Sequence, residues 1–349
     1  MKLPRWKREQ RARQRQKFAI LVRSAVLLSL LFLVFLAGFL VLKEARSSSL
    51  AKDGRTTIVL ATEPVLVVSF ESGEDLTILS IPEKTYIEVL RGFGSYRIGA
   101  VWGLGEIEKK GGELLAETSQ EFLGVPVDGW IGLKNGKWQS AQKRVPAESA
   151  NGKIDKEQVI NLKNKFTSWG ILIRPRELLN FSQNLKTNLT IFDLARIWWW
   201  VKTIRFDKIH FLDLGQTEAI SSLILADGST ALTADFSLLD TTYQGLFKDK
   251  RIAGEHISIE VLNGTDKQGL GQRITRLITN LGGSVISVGN SPQKTGQCQI
   301  RGETGILKTL TARRLGQIFD CKMLVEKPLG SRSDLQLIIG EDYWQKLYQ

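Results

Sequence analysis

Histidine and cysteine are scarce in this 349-residue chain, which contains two of each. The histidines are His210 and His256, and the cysteines are Cys298 and Cys321. This scarcity disfavours a Cys/His zinc cluster of the usual kind and acid–base catalysis that depends on histidine, including a Ser/His/Asp triad. Cys298 and Cys321 are candidates for one disulfide outside the cytoplasm; the alternative is two small buried apolar side chains.

Charge is absent from one stretch, Ala25–Leu42, whose sequence is AVLLSLLFLVFLAGFLVL. Its eighteen residues reach the lower end of the length that crosses a hydrocarbon core of about 30 Å as a helix. A buried core helix is rarely apolar on every face along such a length. The sequence therefore predicts a transmembrane helix at 25–42.

The residues on either side of this stretch differ sharply in charge. Residues 1–24 hold nine lysines and arginines and one acid, whereas only Lys43, Glu44 and Arg46 precede a serine-rich tether after the stretch. The positive-inside rule then places 1–24 in the cytoplasm and the bulk of the chain outside a cell membrane that it crosses once. A cleaved signal peptide is the alternative, but its apolar region would be shorter, so an uncleaved signal anchor is favoured.

The net charge of +12 is concentrated at the start of the chain. Residues 1–24 supply +8, and the remaining 325 residues supply only +4. The basic segment suits the anionic lipids of an inner membrane leaflet. The rest of the chain has no arginine-rich stripe and no RNA-binding aromatic motif, so nucleic acid is not an expected partner.

About 300 residues follow the predicted span, which indicates two domains. We expect a linker at 43–55, a first domain at 56–247 and a second at 255–345, joined by a charged linker at Lys248–Gly254. The first domain is predicted as an α/β or mixed α+β sandwich with a mixed sheet. The second is predicted as a small α/β domain, because its strands alternate with helices as in βαβ units.

Helical periodicity in the first domain predicts a helix at Glu106–Leu123 and another at Ile191–Thr203. The second of these begins at a capping box formed by Thr190 and Asp193. A polar excursion and two more helices are predicted between them, at Lys134–Asp155, Gln158–Trp169 and Pro175–Asn184.

Three consecutive tryptophans, Trp198-Trp199-Trp200, lie in the helix that follows Thr190. The favoured interpretation is a large apolar helix that is buried between two layers, because helices that are apolar on every side are usually internal. The alternative follows from the roughly 100° between neighbouring residues on a helix: one ring faces inward, and the others contact lipid, glycan or another domain.

The second domain is predicted from strands that alternate with amphipathic helices. The predicted strands are Ile257–Leu262, Ser284–Val288, Gln297–Arg301, Lys322–Glu326 and Leu335–Ile339. The predicted helices are Gly269–Leu281 and Ile306–Phe319.

This C-terminal region resembles the LytR C-terminal domain. The resemblance lies in EVLNGT at Glu260–Thr265, in the following GLGQRITRLITNLG, and in SVISVGN, which ends at Asn290. The block Ile306–Val325 and DLQLIIGEDY at Asp334–Tyr343 complete it in the right order over about a hundred residues.

The preceding region, about Arg55–Leu246, is similar to the LytR–CpsA–Psr (LCP) family in a diverged form. LTILSIPEKTYIEV at Leu76–Val89 resembles that family's strand followed by SIPRDT, and EFLGVPVDGWIGL at Glu121–Leu133 resembles its LLGIPIDHYV-type strand. NLKTNLTIFDLARI at Asn184–Ile197 is similar to its later helix entry. The resemblance implies transfer of a glycopolymer phosphate from a polyprenyl pyrophosphate carrier to peptidoglycan, through acidic residues, a divalent cation and arginines.

The positions that carry this chemistry differ in the present sequence. Glu83-Lys84 stands where the family has its Arg-Asp pair, and a carboxylate at the arginine position repels pyrophosphate. Glu63 stands near the expected aspartate and by itself makes a poor Mg²⁺ site. We therefore predict no catalytic residue, no metal site and no cofactor, with Glu63, Glu83 and Lys84 as degenerate family positions.

Two functions remain open. The favoured one is a membrane-anchored, non-catalytic cell-envelope protein that acts in cell-wall or glycopolymer assembly or binding through its LytR-type domain. Its expected partners are the membrane, together with a cell-wall or polyprenyl-linked glycan or another envelope protein. The alternative is an active phosphotransferase with a rearranged site, which would require Mg²⁺.

Overall fold

The computed structural model describes residues 50, 54–71, 74–133, 184–225, 228, 230–327 and 332–348. The predicted span at 25–42, the basic segment at 1–24 and most of the linker at 43–55 lie outside these residues, as do the predicted excursion and nearly all of the two helices between 134 and 184. Within the described residues, no helix has the length and apolarity needed to cross a membrane. Residues 49–349 form one compact unit.

The described chain contains strands and helices in a mixed order. The strands are β1 (Arg55–Leu60), β2 (Val65–Glu71), β3 (Leu76–Ile81), β4 (Tyr86–Val89), β5 (Gly94–Arg97), β6 (Gly129–Leu133), β7 (Leu185–Thr187), β8 (Ile209–Asp213), β9 (Ile220–Ile224), β10 (Thr230–Ala234), β11 (Ser258–Asn263), β12 (Ser284–Asn290), β13 (Gln299–Gly302), β14 (Lys322–Val325) and β15 (Leu335–Ile339). The helices are α1 (Ile98–Ile107), α2 (Gly111–Leu123), α3 (Ile191–Thr203), α4 (Phe236–Thr242), α5 (Lys250–Glu255), α6 (Leu270–Leu281), α7 (Thr304–Leu307), α8 (Leu310–Phe319) and α9 (Glu341–Tyr348).

The first sheet has six strands in the order β7-β6-β1-β2-β3-β8. Strands β1 and β3 are both antiparallel to β2, β6 is parallel to β1, and β8 is parallel to β3. Four strands therefore run in the same direction and end at the same edge of the sheet. The predicted mixed sheet and the mixed α/β class are confirmed.

Alternating side chains of this sheet pack into two different cores. Val59, Val67 and Leu79 belong to the larger buried cluster, which also includes Leu115 of α2. On the other face, Ile58 and its neighbours form a second buried cluster with inward side chains of α3. The period of two in the sequence thus produces a sheet that is covered by helices on both faces.

The second sheet has five strands in the order β12-β11-β15-β13-β14. Helix α6 connects the parallel pair β11 and β12, and helices α7 and α8 connect the parallel pair β13 and β14. Both connections are the βαβ units that the sequence predicts. Leu270, Ile274 and Leu277 form the buried stripe of α6, at the predicted spacing.

Two predicted elements differ in the structure. The helix predicted at Glu106–Leu123 begins only at Gly111, as α2; Glu106 and Ile107 end the separate helix α1, because the backbone turns sharply at Lys109 (φ 61°). The charged linker predicted at Lys248–Gly254 contains helix α5, whose first turn is capped by Asp249. The Asp249 side chain is buried, and it accepts hydrogen bonds from the backbone N–H groups of Arg251 (2.9 Å) and Ile252 (3.2 Å).

Helix α3 covers one face of the first sheet. Its predicted capping box is present, with Thr190 and Asp193 bonded to each other's backbone N–H groups. Trp200 packs against Phe70 with ring centroids 5.0 Å apart, whereas Trp199 is 53% exposed. The favoured prediction of a helix buried between two layers is therefore wrong: Trp200 faces the sheet, Trp198 is half-buried and Trp199 is exposed.

Candidate functional site

The family positions singled out in the sequence lie at one edge of the six-stranded sheet. Glu63 follows β1, and Glu83-Lys84 follow β3. Since β1 and β3 run in the same direction, their carboxyl ends meet at one edge, which is where α/β sheets commonly bind ligands. The side chains of all three residues are exposed at this edge.

Backbone hydrogen bonds hold the Glu83-Lys84 turn in place. The N–H of Gly99 donates to the carbonyl of Glu83 (3.1 Å), and the N–H of Ile98 donates to that of Thr85 (2.8 Å). The N–H of Leu232 donates to the carbonyl of Lys84 (3.1 Å). The turn is thus fixed between the start of α1 and strand β10, so Glu83 occupies a defined position at the sheet edge.

A pair of tryptophans lies beside this edge. The rings of Trp102 and Trp130 meet edge to face with centroids 5.5 Å apart. A Cβ at Gly112 would lie 2.1 Å from the Trp130 ring, and one at Gly132 would lie 2.2 Å from the Trp102 ring. The two glycines therefore make room for the aromatic pair. Sequence reasoning missed this pair, although glycines inside a helix and a strand are a recognised signal of close packing.

An ion pair between Lys186 of β7 and Glu106 of α1 lies near the same edge. Among the residues that the structure describes, no three His, Cys, Asp or Glu side chains lie close enough to hold a metal ion together. The edge thus offers carboxylates and lysines to a polar ligand.

A larger crevice lies in the C-terminal sheet, where β11 and β12 end and α6 begins. Its volume is about 660 Å³, and its lining consists mainly of amide, hydroxyl, amino and backbone groups. The lining side chains include Asn263, Thr265, Lys267, Asn290 and Lys294. This crevice coincides with the NGT turn of the predicted LytR resemblance.

Hydrogen bonds within the turn fix the shape of this crevice. The Asn263 side chain donates to the carbonyl of Lys267 (2.8 Å) and accepts from the N–H of Thr265 (3.0 Å). The Thr265 hydroxyl accepts from the N–H of Lys267 (3.1 Å). Asn263 is only 8% exposed, so these bonds are shielded from water and the turn is preorganised.

The two lysines of the crevice differ in their surroundings. The ammonium group of Lys267 lies 5.1 Å from the centre of the Trp344 ring. That of Lys294 pairs with Asp266 at 2.6 Å, and both side chains are about three-quarters exposed, at 75% and 73%. Exposed pairs of this kind are weak, so Lys294 can exchange Asp266 for a ligand at little cost.

A smaller cavity of about 180 Å³ opens at the carboxyl end of α3. Phe70, Trp200 and Glu71 are part of its lining. Glu71 is 5% exposed, and its Oε2 atom has no hydrogen-bond partner among the described residues. Burial, followed by the nearby charge of Asp249, raises the pKa of the Glu71 carboxyl above its ordinary value.

Cys298 and Cys321 are joined by a disulfide, with their Cα atoms 4.5 Å apart. They precede β13 and β14, two adjacent parallel strands, and the N–H of Lys322 donates to the carbonyl of Cys298 (2.9 Å). Cys298 is buried. The bond therefore joins the starts of two neighbouring strands inside the C-terminal sheet.

The described residues thus define a class: an α/β protein with a mixed six-stranded sheet and a second, C-terminal sheet of βαβ units that carries a polar crevice. Residues 256–343 match the sequence profile of LytR_C, the family described as LytR cell envelope-related transcriptional attenuator. These residues form a LytR C-terminal domain, which confirms that prediction. No curated protein matches the chain significantly.

Several solved structures are similar to the chain at low identity. TagV of B. subtilis is 18% identical, with a TM-score of 0.43, over 56% of this chain and 97% of that one. TagT bound to LIIa-WTA is 17% identical, with a TM-score of 0.37, over 56% and 90%. Protein gbs0355 from Streptococcus agalactiae is 13% identical, with a TM-score of 0.41, over 54% and 84%. The specific assignment of 56–247 as a diverged LCP domain stays a prediction.

Proposed function

We propose that this chain is a membrane-anchored, extracytoplasmic cell-envelope protein that acts in cell-wall or glycopolymer assembly without catalysing phosphoryl transfer itself. In this proposal, the LytR C-terminal domain holds a glycan in the crevice around Asn263. The observation that carries the proposal is the match of residues 256–343 to a cell envelope-related family, together with the polar crevice in that same domain.

The chemistry of the crevice supports a glycan ligand. Sugar hydroxyls need both donors and acceptors in fixed positions, and a preorganised site binds them with less loss of entropy. Asn263, Asn290 and Thr265 supply such groups, and Lys267 and Lys294 add positive charge. This combination suits a glycan that carries phosphate or carboxylate groups.

The sheet edge supports the non-catalytic part of the proposal. Glu83 occupies the position at which the resembling family places an arginine, and its turn is fixed by the bonds to Gly99 and Leu232. A carboxylate held there repels a pyrophosphate group, because both are negatively charged.

The test is co-sedimentation of the full-length chain, in mild detergent, with purified peptidoglycan sacculi that retain their glycopolymers. We expect the unaltered chain to sediment with the sacculi. The double variant Lys267→Ala/Lys294→Ala should lose most of this binding, because both positive charges of the crevice are removed. Lys308→Ala is the matched control, since Lys308 is an exposed lysine of the same domain outside the crevice lining.

Equal sedimentation of the double variant and the unaltered chain would show that the crevice is not the glycan site. A second measurement addresses catalysis. The full-length chain is incubated with sacculi and a polyprenyl pyrophosphate-linked glycopolymer in Mg²⁺, and covalent attachment is measured. Attachment that depends on Glu83 would establish the phosphotransferase alternative instead.

A further inference from the structure

The two lysines that line the crevice around Asn263 are held by different partners. The ammonium group of Lys294 pairs with the Asp266 carboxylate, whose negative charge offsets it. The ammonium group of Lys267 forms no hydrogen bond and no ion pair with any described residue, and it lies over the Trp344 ring, 5.1 Å from the ring centre. An ammonium group has three N–H donors, and those of Lys267 have no protein acceptor in this part of the chain. Lys267 therefore carries the uncompensated positive charge of the crevice.

Trp344 lies on α9, which begins at the same edge of the sheet as the crevice. Strands β11 and β15 are parallel and pair Asn263 with Ile339, and α9 begins two residues after the end of β15. The N–H of Gly264 donates to the carbonyl of Ile339 (2.9 Å). The turn that forms the crevice and the residue that precedes α9 are thus bound to each other.

The Trp344 ring has a fixed position of its own. It stacks on the Tyr348 ring, with centroids 3.9 Å apart and planes inclined by 18°. The Tyr348 hydroxyl accepts a hydrogen bond from Nη1 of Arg273 on α6 (2.6 Å). Tyr343 and Leu347 are buried and attach α9 to the core of the C-terminal sheet. The position of the indole therefore does not depend on a bound ligand.

A lysine that is held over an aromatic ring is prepared to bind an anion. The face of an indole ring attracts a cation, and it does so without neutralising the charge as a carboxylate would. A lysine without such a contact samples many rotamers and loses that freedom when it binds a ligand. The ring restricts the ammonium group of Lys267 before a ligand arrives, so less freedom is lost on binding.

We propose that Lys267 binds an anionic oxygen of the glycan in the crevice, and that Trp344 is a positioning residue that acts through Lys267. The anionic oxygen belongs to a phosphate group of a glycopolymer or to a carboxylate of peptidoglycan. Lys294 contributes less, because the Asp266 carboxylate beside it repels an anion. This inference rests on the proposed binding of a glycan in the crevice, and it names the group that makes the crevice prefer anionic ligands.

The experiment measures the apparent affinity of the full-length chain, in mild detergent, for increasing amounts of sacculi that retain their glycopolymers. Lys267→Met removes the charge and retains an apolar side chain beside the ring, whereas Trp344→Leu removes the ring. Trp344→Phe restores a smaller aromatic ring. The matched control is Trp199→Leu, since Trp199 is an exposed tryptophan on α3, outside the crevice lining. Thermal unfolding of each variant confirms that it is folded.

We expect Lys267→Met to weaken binding by more than about tenfold, and Lys294→Met by about threefold or less. Trp344→Leu should weaken it by about three- to tenfold, and Trp344→Phe should recover part of this loss, because a phenyl ring also attracts a cation. In a chain that already carries Lys267→Met, Trp344→Leu should have no further effect, since the ring acts only through the ammonium group. Trp199→Leu should leave the affinity unchanged.

Additive losses from Lys267→Met and Trp344→Leu would assign Trp344 a purely structural role and overturn the positioning. A loss with Lys294→Met and none with Lys267→Met overturns the inference and leaves the crevice as the glycan site. Unchanged affinity in all of these variants overturns both the inference and the crevice as the glycan site. Cold hydrofluoric acid, which removes phosphodiester-linked polymers from sacculi, identifies the anion: binding through Lys267 that is lost after the treatment assigns it to phosphate, and binding through Lys267 that persists assigns it to a carboxylate.

Discussion

The buried ion pair between Arg314 and Asp128 gives the sharpest prediction about stability. Arg314 lies on α8 of the C-terminal domain, and Asp128 directly precedes β6 of the first sheet. Their side chains are 4% and 7% exposed, and Arg314 Nη2 lies 2.6 Å from Asp128 Oδ1. Asp128 Oδ2 also accepts from the N–H of Thr57 (2.9 Å). The pair therefore joins the two halves of the compact unit away from water.

Asp128→Asn removes the negative charge and retains an oxygen that can accept from Thr57. The new amide NH₂ group then faces Arg314 Nη2, donor against donor, and the guanidinium is buried without a counter-charge. Removing one partner of a buried pair costs about 3–5 kcal/mol, and we expect a loss within this range. Arg314→Leu should cost a similar amount, since it leaves the Asp128 carboxylate buried.

The double variant Asp128→Asn/Arg314→Leu should be more stable than either single variant, because no buried charge remains unpaired. The assay is denaturant unfolding of residues 49–349, followed by tryptophan fluorescence. The matched control is Asp266→Asn, which breaks the exposed pair with Lys294 and should change stability by less than about 1 kcal/mol. The reasoning is refuted if Asp128→Asn costs no more than this control, or if the two single costs add in the double variant.

Two further predictions concern buried groups. Burial raises the pKa of the Glu71 carboxyl above its ordinary value of 4.5. Between these two pKa values the folded state keeps the proton and the unfolded state has lost it. The free energy of unfolding therefore falls as pH rises from 4.5 towards the pKa of the folded state. Glu71→Gln should therefore raise the melting temperature at neutral pH, and this advantage should vanish below pH 4.5; an advantage that persists in acid would contradict the assignment. Gly112→Ala should destabilise by about 1–3 kcal/mol, because the new methyl group overlaps the Trp130 ring. The control is Gly103→Ala, since a Cβ added at Gly103 would have no atom within 4 Å. This control should raise the free energy of unfolding by about 0.5–1 kcal/mol through helix propensity. Equal effects of the two changes in denaturant unfolding would disprove the overlap with the Trp130 ring.

Patterns of neighbouring residues in the sequence predicted the helix and the helix cap that depend only on neighbouring residues. The stripe of α6 follows from the spacing of Leu270, Ile274 and Leu277, and the capping box at Thr190 follows from residues three apart. Each of these features depends on residues that lie within one or two helical turns of each other in the sequence.

The parts that sequence reasoning missed depend on distant partners. Lys248–Gly254 was interpreted as a linker because of its charges, but Asp249 is buried, where it caps α5 and also accepts from the N–H of Arg55 at 2.7 Å. No local pattern indicates that second bond. The crevice of the C-terminal domain is a similar case, since its lining comes from the ends of β11 and β12 and the residues that follow them, and only the parallel pairing brings these together.

The contacts of Arg276 show why a ligand in that crevice would be held in a fixed position relative to the first sheet. The Arg276 guanidinium bonds to both carboxylate oxygens of Asp240, with Nε–O distances of 2.9 and 2.7 Å, and to the carbonyl oxygens of Glu121 and Phe122, each at 3.1 Å. Those carbonyls belong to the last turn of α2, which ends at Gly124 in the left-handed conformation (φ 62°). A helix normally leaves its last carbonyls without partners, so the guanidinium satisfies them and joins α6 to α2 at the same time.

Because α6 begins at the crevice and α2 packs on the sheet that carries Glu83, a glycan bound in the crevice cannot move independently of that edge. A flexibly tethered binding module would capture a glycan anywhere within its reach. Under the function proposed above, the fixed position of this domain would present a bound glycan in a single orientation.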